Sequence, residues 1–599
     1  MQEIRTRSIH AINLITTSVG SPRRHLLFLV IALFVGLSFF SRHLTALAVL
    51  GSNYNVFAYN PEAVHQSRGK IENYDYQPDA LIWDETAFYG RYTQQILRGD
   101  IIGNSFSLYQ PYLLDQTSST RNQGFPFFFS RGGPVVIALL ALVLGDVRQA
   151  FMLADMIFPA LIAFLVVWLC WYLRHSIAFA ITALSLFMWF NWSDINNLLH
   201  GGRGIGEITF LRTPFPQVST VFFVLFLITI ADFVTQPNLR AVGFLIILLP
   251  LNFLTYEFSG LVVFAITAAL IPVALLHRDR GSFIGYSAAI GLVVVLLSGA
   301  ALSAPAWIGI IQSSPVFGAL VAERPGAHSH LPDVGRTVIV ALFWLPTFMI
   351  RFRKWDSRLF WSAIWLGAIV VLNQQVLTGV NIEADHITGN FLEPLFMIYM
   401  LDVVLVLVPP ISGKLAALAA GLVFFVGFGQ AATRGAITAQ VQIPFTTKDP
   451  AFEQLASTLN KQDRRYVVVT GDLYLNNVLP AYIPQRLLVP KTIDDPMSSN
   501  QRDMLRNTAA NLLGYSNWNE MMNSMYQVNV PVGGGQSGLM IDRSKVIVVT
   551  NRHLHVNVQI DAPQLIMSNA DFQVGFLAGV SVRGSDAAAA SDGYQALAP

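Results

Sequence analysis

Apolar runs long enough to cross a lipid bilayer dominate the chain, and that pattern narrows the possible folds more than any motif. In hydrocarbon every backbone N–H and C=O must be bonded internally, so a spanning run has to be a helix, and roughly 20 residues carry it across. About eleven runs qualify on this measure, near 25 to 44, 149 to 173, 177 to 192, 216 to 234, 240 to 255, 258 to 276, 283 to 302, 337 to 350, 359 to 377, 388 to 408 and 414 to 432. Of the 599 residues 53% are hydrophobic and only 12% are charged, about half the charge of a soluble chain, and the 12% aromatic content excludes a disordered one. Lys+Arg number 38 against 36 Asp+Glu, a formal net charge of +2, which leaves no basic footprint for nucleic acid. Cys170, the single cysteine, lies in an apolar run beside Trp171 and can form neither an internal disulfide nor a zinc cluster.

The first run follows Arg23 and Arg24 and precedes A-L-A at 46 to 48, a superficial fit to signal peptidase. Arg42 and His43 interrupt the approach to that site, so the run reads as an uncleaved anchor. The segment 134 to 145, PVVIALLALVLG, is short for a span and reads as a re-entrant or interfacial helix. With the N-terminus in the cytoplasm, this choice leaves Arg174, Arg240, the HRDR run at 277 to 280, RFRKWDSR at 351 to 358 and Lys414 all inside, as the positive-inside rule asks. The other face then receives a long loop at 51 to 133, loops at 193 to 215, 303 to 336 and 378 to 387, and a tight corner at Tyr256 and Glu257. An odd number of crossings also places everything after about 440 outside. There, YVVVTGD at 466 to 472 and KVIVVTN at 545 to 551 alternate with helix-like stretches at 449 to 461 and 501 to 526, the pattern of a small α/β domain. The expected division is a transmembrane domain at 1–439 and an extracytoplasmic domain at 440–599 with a disordered end.

Within the first outer loop, WDETAFYGRYTQQILRG at 83 to 99 reads as an amphipathic helix. Asp84 can cap its first turn, Glu85 suits the positive end of the dipole, and Gly99 after Arg98 is a stop signal. Phe88, Tyr92 and Ile96, four apart, form an apolar stripe expected to lie on the membrane surface. The adjacent carboxylates Asp84 and Glu85 would then stand at the bilayer boundary. A carboxylate there can accept the proton of a hydroxyl as its oxygen attacks a sugar C1, while the departing phosphate needs positive charge or a metal. Arg131, Arg203, Arg212 and Arg324 sit in or beside outer loops and are available cations.

A long first outer loop bearing D-E-x-x-x-Y at 84 to 89, many crossings and an outward C-terminal domain resemble the GT-C superfamily of polyprenyl-phosphate-sugar-dependent glycosyltransferases. The resemblance extends to about residue 432 and rests on a short motif. It implies an all-α polytopic, GT-C-like membrane protein of a bacterial inner membrane, carrying a C-terminal extracytoplasmic α/β domain. The activity it implies is inverting transfer on the periplasmic face, from a polyprenyl-phosphate sugar donor to a glycan or lipid acceptor. Asp84 matches the family's acidic position as general base, and Glu207 in GRGIGEITFLRTP matches the acid of the second loop, which in many members lies near the metal or the acceptor. A divalent cation, Mg or Mn, is left open on the same ground. The chain lacks the WWD-type motif of oligosaccharyltransferases and has SRGGPVV at 130 to 136 where protein O-mannosyltransferases carry an HPPLGK-like run, so a protein acceptor is not expected.

The remaining candidates are weighed residue by residue. Glu257, at the outer junction of two spans, is a candidate for holding acceptor or metal because intramembrane acids tend to be functional; Arg131, Arg212 and His386 are candidates for the lipid phosphate. Glu85 supports the dipole and can assist. Glu207 can equally pair with Arg203 or Arg212 as a solvated surface group. His328 and His330 lack a third ligand for zinc, and Asp472, Asp494, Asp495, His553 and His555 read as structural. VGGGQSG at 532 to 538 lacks the Lys-Ser/Thr of a phosphate loop. The rival readings are a transporter or flippase of lipid-linked saccharide, which would place ionisable groups at mid-bilayer depth, and a glycan polymerase or ligase, which would need a large Arg-rich late loop.

Overall fold

The computed structural model describes residues 22–56, 83–98, 132–190, 216–235, 239–276, 331–349, 357–378, 387–408, 411–488, 499–526, 541–554, 558–577 and 580–582. In chain order the helices are α1 Pro22–Leu50, α2 Trp83–Leu97, α3 Gly132–Leu144, α4 Val147–Arg174, α5 Ile177–Trp189, α6 Gln217–Thr235, α7 Leu239–Thr255, α8 Glu257–Leu276, α9 Val334–Met349, α10 Arg358–Leu372, α11 Glu393–Leu407 and α12 Gly413–Thr446. Then come α13 Pro450–Asn460, β1 Val467–Val469, α14 Leu473–Val478, β2 Arg486–Leu487, α15 Ser499–Leu512, α16 Trp518–Tyr526, β3 Val546–Asn551, β4 Val558–Ile560, β5 Leu565–Ser568, β6 Phe572–Phe576 and β7 Val580–Val582. The protein is a mostly helical, multi-pass membrane protein with a small C-terminal sheet. Among the described residues five segments are long and apolar enough to cross a bilayer: Pro22–Asn53, Val147–Arg174, Gln217–Thr235, Thr388–Leu407 and Gly413–Gln440. The runs near 177, 240, 258, 337 and 359 form shorter apolar helices, and the run at 283 to 302 lies outside the described residues.

The chain divides into two compact units. One gathers Met1–Thr45, Met152–Gly299 and Ser329–Thr438; the other gathers Ala46–Phe151, Ala300–His328 and Ala439–Pro599. In the first, helices pack in neighbouring pairs: α6 with α7, α7 with α8, α8 with α10, α9 with α10, and α5 with α11. Small residues set the closest approaches, as in membrane bundles generally. A Cβ on Gly367 would come within 2.6 Å of the Ile266 Cα, and one on Gly36 within 2.6 Å of the Met156 carbonyl oxygen. His175 takes the left-handed conformation at φ 52, and Ser176 caps the next helix by accepting from the Phe179 N–H at 3.3 Å. The chain therefore reverses between α4 and α5 within two residues.

Side-chain register gives the direction of three helices. Arg24 stands over the Trp171 ring, His25 stacks on Trp168, Gly36 meets Met156 and Ala160, and Arg42 bonds Asp155. As numbers rise along α1 they fall along α4, so the two run antiparallel, and α4 starts on the side where α1 ends. The connection from 51 to 146 thus makes no net crossing, which agrees with reading 134 to 145 as something other than a span. Phe34 meets Phe428 and Ser41 donates to the Ala432 carbonyl at 3.5 Å, so α12 runs parallel to α1.

In the second unit the ends of those same helices are stitched. The Asn55 N–H donates to the Thr446 carbonyl and the Lys448 N–H to the Asn53 carbonyl, both at 2.8 Å, around an antiparallel bridge of Tyr54 with Thr447. The C-terminal sheet has the order β2-β1-β3-β6-β5, with β4 and β7 paired separately. β1 is parallel to β2 and β3, and β6 is antiparallel to β3 and β5. Val467, Val469, Val546 and Val548 are buried against Leu505, Leu513, Trp518, Met521 and Met525. Strands covered on both faces read as unbroken apolar runs, which is how VVV and VIVV are written in the sequence.

Candidate functional site

The acid pair opens α2. Asp84 and Glu85 fall in its first turn, and their side chains lie outside the described residues. The rest of the helix is held by protein on more than one side. It packs against α3, α14 and the turn Leu479–Ala481. Tyr92 is 5% exposed and Thr93 is buried, with the Thr93 hydroxyl donating to the Tyr89 carbonyl at 2.9 Å. Just past the last turn, the Arg98 guanidinium donates to the carbonyls of Gln485 and Pro480, each at 3.1 Å, and to that of Ile483. Gln485 is itself buried and donates to the carbonyls of Leu459 at 2.8 Å and Gln462 at 2.9 Å, so Arg98 grips a fixed turn. This corrects one expectation. An amphipathic stripe needs an apolar partner, and at Tyr92 that partner is protein rather than the membrane surface.

A polar cluster that the sequence reading missed is buried in the helical unit. Asp155, on the third turn of α4, accepts from Arg42 Nη2, lies 2.6 Å from His43 Nε2, and accepts from Gln217 Nε2 at 2.9 Å. All four residues are buried, and Arg42 Nε is buried without a hydrogen-bond partner. Nearby, the Trp189 indole donates to Ser38 at 3.2 Å. Arg42 and His43 lie near the end of α1, and Asp155 and Gln217 near the starts of α4 and α6, so the cluster marks the end of the bundle that leads into the loops at 51 and 215. The available signal was an acid inside an apolar span, where charge is costly and usually functional. No metal fits here, because the Arg42 guanidinium already occupies Asp155. Among the described residues no group of three or more His, Cys, Asp and Glu is arranged to hold one.

A second cluster marks the other end of α4. Buried Asp402 accepts from Arg174, from Ser357 at 2.5 Å and from the Trp361 indole at 2.7 Å. From Asp155 to Arg174 α4 rises about 28 Å at 1.5 Å per residue, close to the roughly 30 Å of a hydrocarbon core. The two clusters therefore sit near opposite boundaries.

At the stitched ends of the spans, Asn55 donates to Glu453 at 3.1 Å and to the Tyr482 hydroxyl. Arg148 binds Asp146 at 2.7 Å and stands over the Tyr482 ring at 5.6 Å. Burial pushes the Asp146 carboxyl up, but the Arg148 hydrogen bond and charge outweigh it and leave the group below its ordinary value. Burial, with Glu453 adding to it, pushes the Tyr482 hydroxyl up.

Glu257 begins α8 next to buried Tyr256, which packs on Phe258 and Phe391; its own side chain lies outside the described residues. So do Glu207, Arg131, Arg212, His386, Arg203, Arg324, His328, His330, Asp494, Asp495, His555 and the VGGGQSG run. In the C-terminal unit Asp472 caps α14 through the Leu475 N–H at 3.1 Å and accepts from Asn551 at 2.7 Å. His553 pairs with Asp571 at 2.6 Å. The geometry of both suits the structural role expected of them.

No protein-family model and no curated protein matches the chain. Among solved structures the chain is similar to the archaeal oligosaccharyltransferase AglB from Archaeoglobus fulgidus, in complex with an inhibitory peptide and a dolichol-phosphate. The TM-score is 0.39 at 11% identity, over 88% of this chain and 69% of that one. A likeness this loose transfers no chemistry from that enzyme.

Proposed function

We propose that the protein is an inverting GT-C-type glycosyltransferase of a bacterial inner membrane, moving a sugar from a polyprenyl-phosphate donor to a glycan or lipid acceptor at the periplasmic face. One observation carries this reading: adjacent acids head a helix that is clamped at its far end by Arg98, in a connection that leaves and re-enters the bilayer on one side. Catalytic groups need support from rigid, packed elements to hold a productive geometry. In this reading Asp84 accepts the proton of the acceptor hydroxyl, the freed oxygen bonds to C1 with inversion, and the C1–O bond to phosphate breaks. The electron pair leaves on polyprenyl phosphate, which Arg131, Arg212 and His386 neutralise. Glu207 and Glu257 orient the acceptor, and Glu85 assists Asp84. The expected test result is that Asp84→Asn, at normal expression, lowers sugar transfer from a radiolabelled polyprenyl-phosphate donor by about 100-fold or more, the scale of a lost general base. Unchanged transfer removes the assignment.

The second reading, a transporter or flippase of lipid-linked saccharide, calls for ionisable groups at mid-bilayer depth, whereas the buried Arg42–His43–Asp155 cluster lies near a boundary. Proteoliposomes separate the two. A transferase makes new glycosidic bonds with donor and acceptor on the same side, whereas a flippase moves labelled lipid between leaflets and makes none.

A further inference from the structure

We infer that the end of the helical unit where α1 begins carries a binding site for the headgroup phosphate of an anionic glycerophospholipid, formed by Arg23, Arg24 and His25 of α1 with His175, which follows α4. Three of these groups are docked on indoles. The Arg24 guanidinium stands over the Trp171 ring at 4.3 Å, His25 stacks on Trp168 with centroids 5.8 Å apart, and His175 meets Trp171 edge-on at 5.2 Å. Stacking engages the flat faces of the Arg24 guanidinium and the His25 imidazole, while their N–H groups lie at the edges, open to an acceptor. A left-handed non-glycine residue is uncommon, yet His175 takes that conformation at φ 52 and so lies back against Trp171. The acids Asp402 and Asp232, at the same end of α4, are engaged elsewhere: Asp402 holds Arg174, Ser357 and Trp361, and Asp232 accepts from the Tyr172 hydroxyl at 3.3 Å. Among the described residues, two arginines and two histidines thus stand together with no carboxylate on them.

The surroundings identify the anion as a lipid. Both α1 and α4 are long and apolar enough to cross a bilayer, and the cluster runs directly into their bare apolar surface. Leu29, one turn on from His25, is exposed, as are Leu161 and Trp168 on α4, and Phe164 lies edge-on to Trp168 at 5.9 Å. A phosphate held at the cluster lays its acyl chains along that track. Tryptophan and basic residues at the end of a span belong at headgroup level, and each arginine near an anionic bilayer surface strengthens binding about fivefold. A zwitterionic headgroup neutralises its own phosphate, so this excess of positive charge selects a headgroup with net negative charge. The cluster lies wholly within one compact unit. It depends on neither the C-terminal domain nor the proposed chemistry.

The test is native mass spectrometry of the full chain, released from detergent micelles doped with equimolar dioleoyl phosphatidylglycerol and dioleoyl phosphatidylcholine. Wild type is expected to retain phosphatidylglycerol at least about fivefold over phosphatidylcholine, the effect of a single arginine. Arg23→Gln/Arg24→Gln should bring that ratio to within about twofold of unity, and Arg23→Lys/Arg24→Lys, which keeps both charges, should restore it. Arg240→Gln, an exposed arginine on another connection at the same end, should leave the ratio at the wild-type value. Equal retention of the two lipids by wild type overturns the site whatever the variants do. An undiminished ratio in the glutamine double variant, or an equal loss in Arg240→Gln, shows that these arginines hold no particular lipid and overturns it as well. Displacement of phosphatidylglycerol by equimolar glycerol phosphate shows a site for soluble phosphates and overturns the lipid assignment.

Discussion

Asp155 offers the sharpest perturbation because it is a buried carboxylate held by a buried guanidinium. It accepts from Arg42, His43 and Gln217, and the carboxylate has almost no solvent contact. Asp155→Leu strips the acceptor from a buried guanidinium whose Nε already has no partner and from the Gln217 amide. Its cost should fall at the upper end of the range for a broken buried pair, about 5 kcal/mol. Arg42→Met leaves Asp155 its contacts with His43 and Gln217 and should cost about 3 kcal/mol. Replacing both removes the uncompensated charge, so Arg42→Met/Asp155→Leu should return to within about 2 kcal/mol of wild type, far short of additivity. Steric-trap unfolding in bicelles measures all three. A double variant no more stable than the worse single variant, or an Asp155→Leu cost below about 0.5 kcal/mol, the size of a surface change, refutes the buried-pair reasoning. The same double variant then divides two roles. If it folds and transfers sugar normally, the cluster only holds helices together; if it folds and fails, the cluster takes part in turnover.

Arg98→Ala removes three charge-assisted hydrogen bonds to carbonyls and should loosen the end of α2 by about 2 to 4 kcal/mol. Amides from Tyr92 to Leu97 should then exchange about 30-fold faster or more, and unchanged exchange would show that Arg98 does not hold the helix. Gly36→Ala drives a Cβ to within 2.6 Å of a backbone oxygen in α4 and should destabilise the bundle by about 1 to 3 kcal/mol, read in the same unfolding assay. The Asp146 carboxyl lies below its ordinary value of 3.8, so its contribution to stability is full above that pH and is lost as pH falls through the lowered value. Arg148→Met should accordingly raise the acid-unfolding midpoint of the chain, followed by circular dichroism. A periplasm-active reporter fused after residue 440 should be active, and cytoplasmic activity there would overturn the orientation.

The membrane helices were legible because the bilayer leaves an apolar run no other fold, and the strands because a doubly covered strand is written as consecutive valines. The ends of α2 were legible from local chemistry, acids at the head and Arg98 before Gly99 at the tail. What covers its stripe was not, since Tyr92 presents the same periodicity to lipid or to protein. The Asp155 cluster escaped for a related reason. Its partners come from 113, 112 and 62 residues away, and only the oddity of an acid inside an apolar run marks it in the sequence. Arg42 and His43 were read for what they do to a cleavage site, though the helix turns them toward α4.

The registers of α1, α4 and α12 tie these elements to one side of the bilayer without reference to charge bias. α1 and α12 run parallel, and the residues following them pair at 53 to 55 and 446 to 448, so the first loop and the C-terminal domain leave the bilayer together. That shared side is a precondition for Arg98 to bind the turn at 480 to 485 at all. Which side that is follows from where α1 ends, and the basic connections at Arg174, Arg240 and 351 to 358 bear on it independently through the positive-inside rule. The C-terminal domain acquires a role on the same ground. Three of its backbone carbonyls hold Arg98, just past the last turn of the helix whose first turn carries Asp84 and Glu85.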